Sequence, residues 1–157
     1  MAENIVVHEG EKPEKYRILL SQMRGLLEGE EDVTANMANF VAALRMTFGF
    51  FWVGFYIVKG ENLILGPFQG PVACTRIGYG KGVCGTAWKE KRCLTVEDVN
   101  AFPGHIACSS DSKSEIVYPV IREGEVVAVL DIDSDDYAAF DVVDEEYVGK
   151  LLDMFPW

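Results

Sequence analysis

Residues 114–134 read SEIVYPVIREGEVVAVLDIDS, two apolar stretches on either side of Glu123-Gly124. Each stretch has the length of one strand, and the Glu-Gly pair supplies a tight reversal. Glu115 to Arg122 and Glu125 to Asp133 are therefore predicted to form an antiparallel hairpin. Asp131 and Asp133 alternate with Leu130 and Ile132, which puts both carboxylates on one face and the apolar pair on the other. Counting outward from an Arg122–Glu125 pair sets Glu115 opposite Ile132, on the wrong face to join the aspartates. Pro119 lies inside the first strand, where proline is tolerated at an edge or a bulge. A one-residue bulge there would restore Glu115 to the acidic face, and such an irregularity is expected.

Upstream of the hairpin, Tyr16, Leu19, Leu20, Met23, Leu26 and Leu27 recur at helical spacing, as do Val33, Met37, Phe40, Val41, Leu44 and Phe48. Gly29 and Asp32 between them are a stop and an N-cap. Phe50 to Val58 reads as a strand that reverses at Lys59-Gly60-Glu61-Asn62 into Leu63-Ile64-Leu65 and ends at Gly66-Pro67. A glycine-rich approach leads to a short helix from Gly85 to Lys91 and a strand from Arg92 to Val96. The stretch from Glu97 to Ser114 has no periodicity and the length of a binding loop. Asp141, Asp144 and Glu145 open a closing helix through Val148, Leu151, Leu152 and Phe155. The expected architecture is α+β, a mostly antiparallel sheet of five or six strands with helices packed on one face and site-bearing loops on the other.

A chain of 157 residues fits one domain spanning 1–157, with looseness expected over roughly the first 12 residues. The start lacks a basic, then apolar, leader pattern and no apolar run reaches membrane-spanning length, so export and membrane insertion are not expected. A cytoplasmic setting follows, where the cysteines meet a reducing milieu and a transient disulfide is commoner than a structural one. The formal charge of −11 disfavours nucleic acid and anionic membranes as partners.

The four cysteines are Cys74, Cys84, Cys93 and Cys108, and no two form a close C-x-x-C pair. Cys74, Cys84 and Cys108 sit beside glycine or charged residues at the expected element edges, a placement that points to thiol chemistry. Cys84 falls near a helix N-terminus, where exposed N–H groups favour a thiolate and lower its pKa. Any one free cysteine is more often a small buried hydrophobe, the reading kept for Cys93. A zinc site from all four is a distant alternative, and no metal is expected. Trp52 and Tyr56 alternate with Gly54 on one strand, so their rings line an apolar slot or pack in the core with equal weight. His105 is an acid or base beside Cys108 or a loop-surface residue; His8 carries no argument.

The strings WVGFY (52–56), LGPFQG (65–70), ACTR (73–76), GKGVCGTA (80–87), GHIAC (104–108), SEI (114–116) and VLDIDS (129–134) closely resemble the free methionine-(R)-sulfoxide reductases, in register across most of the chain. The resemblance implies a single GAF domain, thiol-based reduction of free L-methionine-(R)-sulfoxide and regeneration by thioredoxin. Position by position, Cys108 resembles the nucleophile that becomes a sulfenic acid. Cys74 resembles the resolving thiol that closes a disulfide with it, and Cys84 a third functional cysteine, either an alternative resolver or a relay. Glu115, Asp131 and Asp133 resemble residues that surround the substrate, together with Trp52 and Tyr56.

The chemistry is coherent with those residues. A sulfoxide sulfur is electrophilic once its oxygen is protonated, so the site needs an attacking thiolate, an acid and a second thiol. No organic cofactor is called for. Two other classes stay open: a ligand-sensing GAF module, and a redox sensor that forms the same disulfide without turnover. GAF domains often pair through helices, which leaves a homodimer as an open expectation.

Overall fold

The predicted hairpin forms and supplies one of the two central strands of the sheet. In a computed structural model, which describes residues 4–106 and 108–157, β5 (Ser114–Arg122) and β6 (Glu125–Ser134) form it, after α1 (Lys12–Leu27), α2 (Val33–Phe48), β1 (Trp52–Lys59), β2 (Asn62–Gln69), β3 (Arg76–Gly78), α3 (Gly82–Glu90) and β4 (Leu94–Val96). A 3-10 turn at Val99–Ala101 interrupts the long loop, and α4 (Val142–Asp153) closes the chain. The strands are all antiparallel in the order β3-β2-β1-β6-β5-β4. Among the described residues, no helix is long and apolar enough to cross a membrane.

The hairpin carries the expected irregularity. Arg122 pairs with Glu125 and Ile121 with Val126, but Val120 pairs with Ala128, so Val127 is the extra residue. Beyond it Glu115 faces Asp133 instead of Ile132. The bulge lies in β6 rather than at Pro119, which itself pairs with Val129. A second register shift explains why β2 runs on through Gly66-Pro67 to Gln69 instead of ending there. Opposite Phe55 the strand spends two residues, Gly66 and Pro67, and the proline sits where no ladder bond is required.

The two sheet faces bury different things. Val53, Phe55, Ile116, Leu130 and Ile132 face α1, α2 and α4 and form the larger apolar core. Trp52, Tyr56, Val117 and Val129 face the other way and pack with Val83, Cys84 and Ala87 of α3. The loop-bearing face is thus covered partly by a helix, a departure from helices on one face alone. Gly85 is what lets α3 approach: a Cβ there would strike the Gly78 carbonyl. Asp32 caps α2 through Ala35 N at 2.8 Å, and Asp141 forms a capping box with Asp144 on α4. Asp144, buried, also accepts from Tyr16 Oη at 2.6 Å and Lys12 Nζ at 2.7 Å, tying the starts of α1 and α4 together. Before α1 the chain is irregular, with Val6 held at both backbone groups by the Gln22 amide; residues 1–3 of the expected loose start lie outside the described residues.

Gly54 is opposite Asp131 at the sheet centre, and the Trp52 indole lies across it: an added Cβ would come within 2.5 Å of the ring and closer still to Phe68. Gly54→Ala is expected to cost about 1–3 kcal/mol of stability through overpacking and to displace the indole, read as a lower midpoint in denaturant and a changed tryptophan fluorescence.

Candidate active site

Because β1, β6 and β5 are neighbours, one pocket collects residues remote in sequence. From β1 come Trp52 and Tyr56, from β6 Asp131 and Asp133, from β5 Glu115, and from the first turn of α3 Cys84. The loops at residues 70–75 and 97–113 form the mouth, with Cys108 and His105 on the second. About 590 Å³ of empty space, open mouth included, lies between them.

A disulfide joins Cys74 to Cys108 at that mouth, with Cα atoms 5.4 Å apart. The 70–75 loop has no regular structure of its own and is held from the sheet. Trp52 Nε1 donates to Pro71 O at 3.0 Å, Tyr56 Oη to Cys74 O at 2.9 Å, and Leu65 N to Thr75 O at 3.1 Å. Tyr56 and Trp52 therefore line the pocket and brace the cysteine loop at once. The indole stacks on Phe68 and Tyr56, with centroids 5.3 and 5.9 Å away, so core packing and pocket lining are both realised.

The floor is acidic. Glu115 and Asp131 are 5% and 6% exposed, and Asp133 is half-buried, accepting from Ser112 Oγ at 2.9 Å. Among the described residues no lysine or arginine forms an ion pair with any of the three. Burial, and then the charges of Asp131 and Asp133, push the Glu115 carboxyl well above the usual carboxylate range. Asp133 is driven up by burial and Asp131, against the Ser112 hydrogen bond. Asp131 is raised by burial but held back by hydrogen bonds from Glu115 and Cys84, so it is the member best able to keep the negative charge. Its Oδ1 is buried without a hydrogen-bond partner.

Cys84 corrects the expectation drawn from the helix start. It does lie in the first turn of α3, but the thiol is buried, and burial with Asp131, Glu115 and Asp133 alongside pushes its pKa well up. Burial first, and then the three neighbouring acids, set the direction for this thiol. Its Sγ and one oxygen each of Glu115 and Asp131 lie within 4.8 Å of one another, a set able to ligate a metal ion. Cys93 packs against the opposite core from Cys74 and Cys84, which argues against the four-cysteine alternative. Burial raises Cys93 to about 12. His105 lines the pocket, its pKa lowered by burial. Ser112 had no signal in the sequence, since it lies in the aperiodic loop and is identified only by its bond to Asp133.

Residues 28–153 match the GAF domain, and the chain belongs to that family. Within it the chain groups with the free methionine-R-sulfoxide reductases: it is 45% identical over 149 residues to the Saccharomyces cerevisiae protein of that name, covering 89% of this chain and 83% of the relative. A GAF domain-containing protein A from Dictyostelium discoideum is 56% identical over 153 residues, 97% of each chain. The crystal structure of the free methionine-R-sulfoxide reductase of Neisseria meningitidis in complex with its substrate superposes with a TM-score of 0.96 at 45% identity, covering 99% of this chain and 94% of that one.

The raised carboxyls have a consequence for stability. Groups whose folded pKa exceeds the unfolded value, about 4 for Asp and Glu, favour folding at low pH, and that contribution is lost as pH rises towards the raised folded values. Asp133→Asn should therefore shrink the loss of unfolding free energy between about pH 5 and pH 8. Asp135→Asn, which removes the same charge from the exposed surface, should leave the loss unchanged; equal slopes for both variants in urea titrations would contradict this assignment.

Proposed function

We propose that this protein reduces free L-methionine-(R)-sulfoxide to methionine with its own thiols. The observation that carries the reading is the Cys74–Cys108 disulfide at the mouth of a pocket floored by the Glu115, Asp131 and Asp133 carboxyls. The names of the yeast and Neisseria relatives support the same substrate.

In the reduced protein the Cys108 thiolate attacks the sulfoxide sulfur while the oxygen takes a proton, giving a transient S–S-bonded adduct. The hydroxyl then passes from the substrate sulfur to the Cys108 sulfur as the S–S and substrate S–O bonds break, so that methionine leaves and Cys108 is left as a sulfenic acid. Glu115 or Asp133, whose carboxyl burial raises well above the usual range, is the acid; which of them faces the oxygen follows from the bound sulfoxide's orientation. Asp131 is the natural partner for the ammonium group of a free amino acid, because its Oδ1 is buried and unpaired. This also favours a free amino acid over a peptide, whose amide nitrogen carries no charge. The Cys74 thiol then attacks the sulfenic sulfur, water leaves, and the disulfide forms. A dithiol protein such as thioredoxin restores both thiols, which suits a reducing cytoplasm.

Cys84 is assigned to binding rather than to resolution. A buried thiol with a raised pKa is a poor nucleophile, and this one already donates to Asp131. Cys84→Ala should raise KM severalfold while kcat stays within about twofold; a collapse of kcat with sulfenic acid accumulating would make it the resolver instead.

The primary test incubates the reduced protein with each sulfoxide epimer and dithiothreitol and follows methionine. The R epimer alone should be consumed, and Cys108→Ser should lower the rate by at least about a thousandfold. No turnover of either epimer, with free thiols verified, would overturn the reading.

A further inference from the structure

The charge of the chain is unevenly placed. Against a formal net charge of −11, residues 62–89 contain no aspartate or glutamate but hold Arg76, Lys81 and Lys89. This stretch supplies β2, the Cys74 loop, β3 and α3, so it forms one bank of the disulfide mouth. Two of the bases lie beside the mouth: Lys81 lines the pocket, and Arg76 is exposed two residues from Cys74.

The same bank exposes an apolar side chain. Val72, which lines the pocket two residues before Cys74, is 88% exposed. Across the mouth, Ile106 is 37% exposed two residues before Cys108. Both disulfide cysteines are only half-exposed. A partner thiol reaches them only if its surroundings lie against this surface.

We infer that Val72 and Ile106, flanked by Arg76 and Lys81, form the docking collar for the protein that reduces Cys74–Cys108: a dithiol carrier with an apolar patch around its attacking thiol and an acidic rim beyond it. The inference rests on the reductase reading and adds the surface and the chemistry of its partner. An acidic rim is repelled by the rest of this molecule and attracted by this bank, so charge orients the encounter while the apolar collar holds it. The partner's thiolate attacks one sulfur of the Cys74–Cys108 bond, forming an intermolecular disulfide and releasing the other sulfur, which takes up a proton. The partner's second thiol then attacks the mixed disulfide, leaving both cysteines here reduced and the carrier oxidised.

The test compares wild type, Arg76→Gln and Arg76→Glu, changes at a position outside the pocket lining, in two arms, one supplied with dithiothreitol and one with thioredoxin kept reduced by its own reductase. In the dithiothreitol arm all three should turn over methionine sulfoxide equally, which verifies the fold and the pocket. In the thioredoxin arm each variant should raise the KM for thioredoxin about five- to tenfold, of the order of 1 kcal/mol, and added salt should raise it for wild type but not for Arg76→Glu. Unchanged thioredoxin KM in both variants would overturn the collar, as would equal losses in both arms or wild-type turnover with dithiothreitol but none with thioredoxin. Failure of wild type with dithiothreitol would instead strike the reductase reading.

Discussion

Three carboxyl groups on one sheet face, two buried and one half-buried, without a lysine or arginine paired to them among the described residues, are the constraint around which the rest is arranged. Charged, they would oppose one another in a medium that screens poorly, so their pKa values are raised, and hydrogen bonds from Glu115, Cys84 and Ser112 are directed onto the aspartates. Such a cluster is tolerable only where the scaffold is rigid, and it sits on β5 and β6, beside β1 at the middle of a six-stranded sheet. The charge these groups lack is the kind a free amino acid carries on its nitrogen.

The division of labour between the sheet faces follows from strand alternation. Every second residue of β1 and β6 packs beneath α1, α2 and α4, where Phe40, Phe55 and Leu130 are fully buried, while the intervening ones face the pocket. Stability and chemistry thus use the same strands without competing for the same side chains. Trp52 and Tyr56 are the exception, since their rings pack and their polar ends hold the Cys74 loop.

The large elements were legible because their periodicity is long: α1, α2, α4 and the β5–β6 hairpin lie where apolar spacing and capping residues put them. The acidic face was legible too, once Pro119 warned against a regular ladder, although the bulge itself settles one strand over at Val127, where no residue type marks it. β3 was not legible, since three residues are too few to show alternation. Cys84 was misjudged because a helix terminus is visible in sequence, whereas three carboxyls arriving from other strands are not. Ser112 and the braces on the Cys74 loop depend on tertiary approach alone.

The disulfide also has a thermodynamic side. It links cysteines 34 positions apart, and closing a loop of that size restricts the unfolded chain by about 3–4 kcal/mol on a chain-entropy basis. That is a large share of the stability of an ordinary domain. The oxidised form is accordingly the robust one, and the reduced form, whose two mouth loops are no longer stitched together, the more pliant. The bond that closes the pocket mouth is thus also a staple across the loops of the sheet's open face.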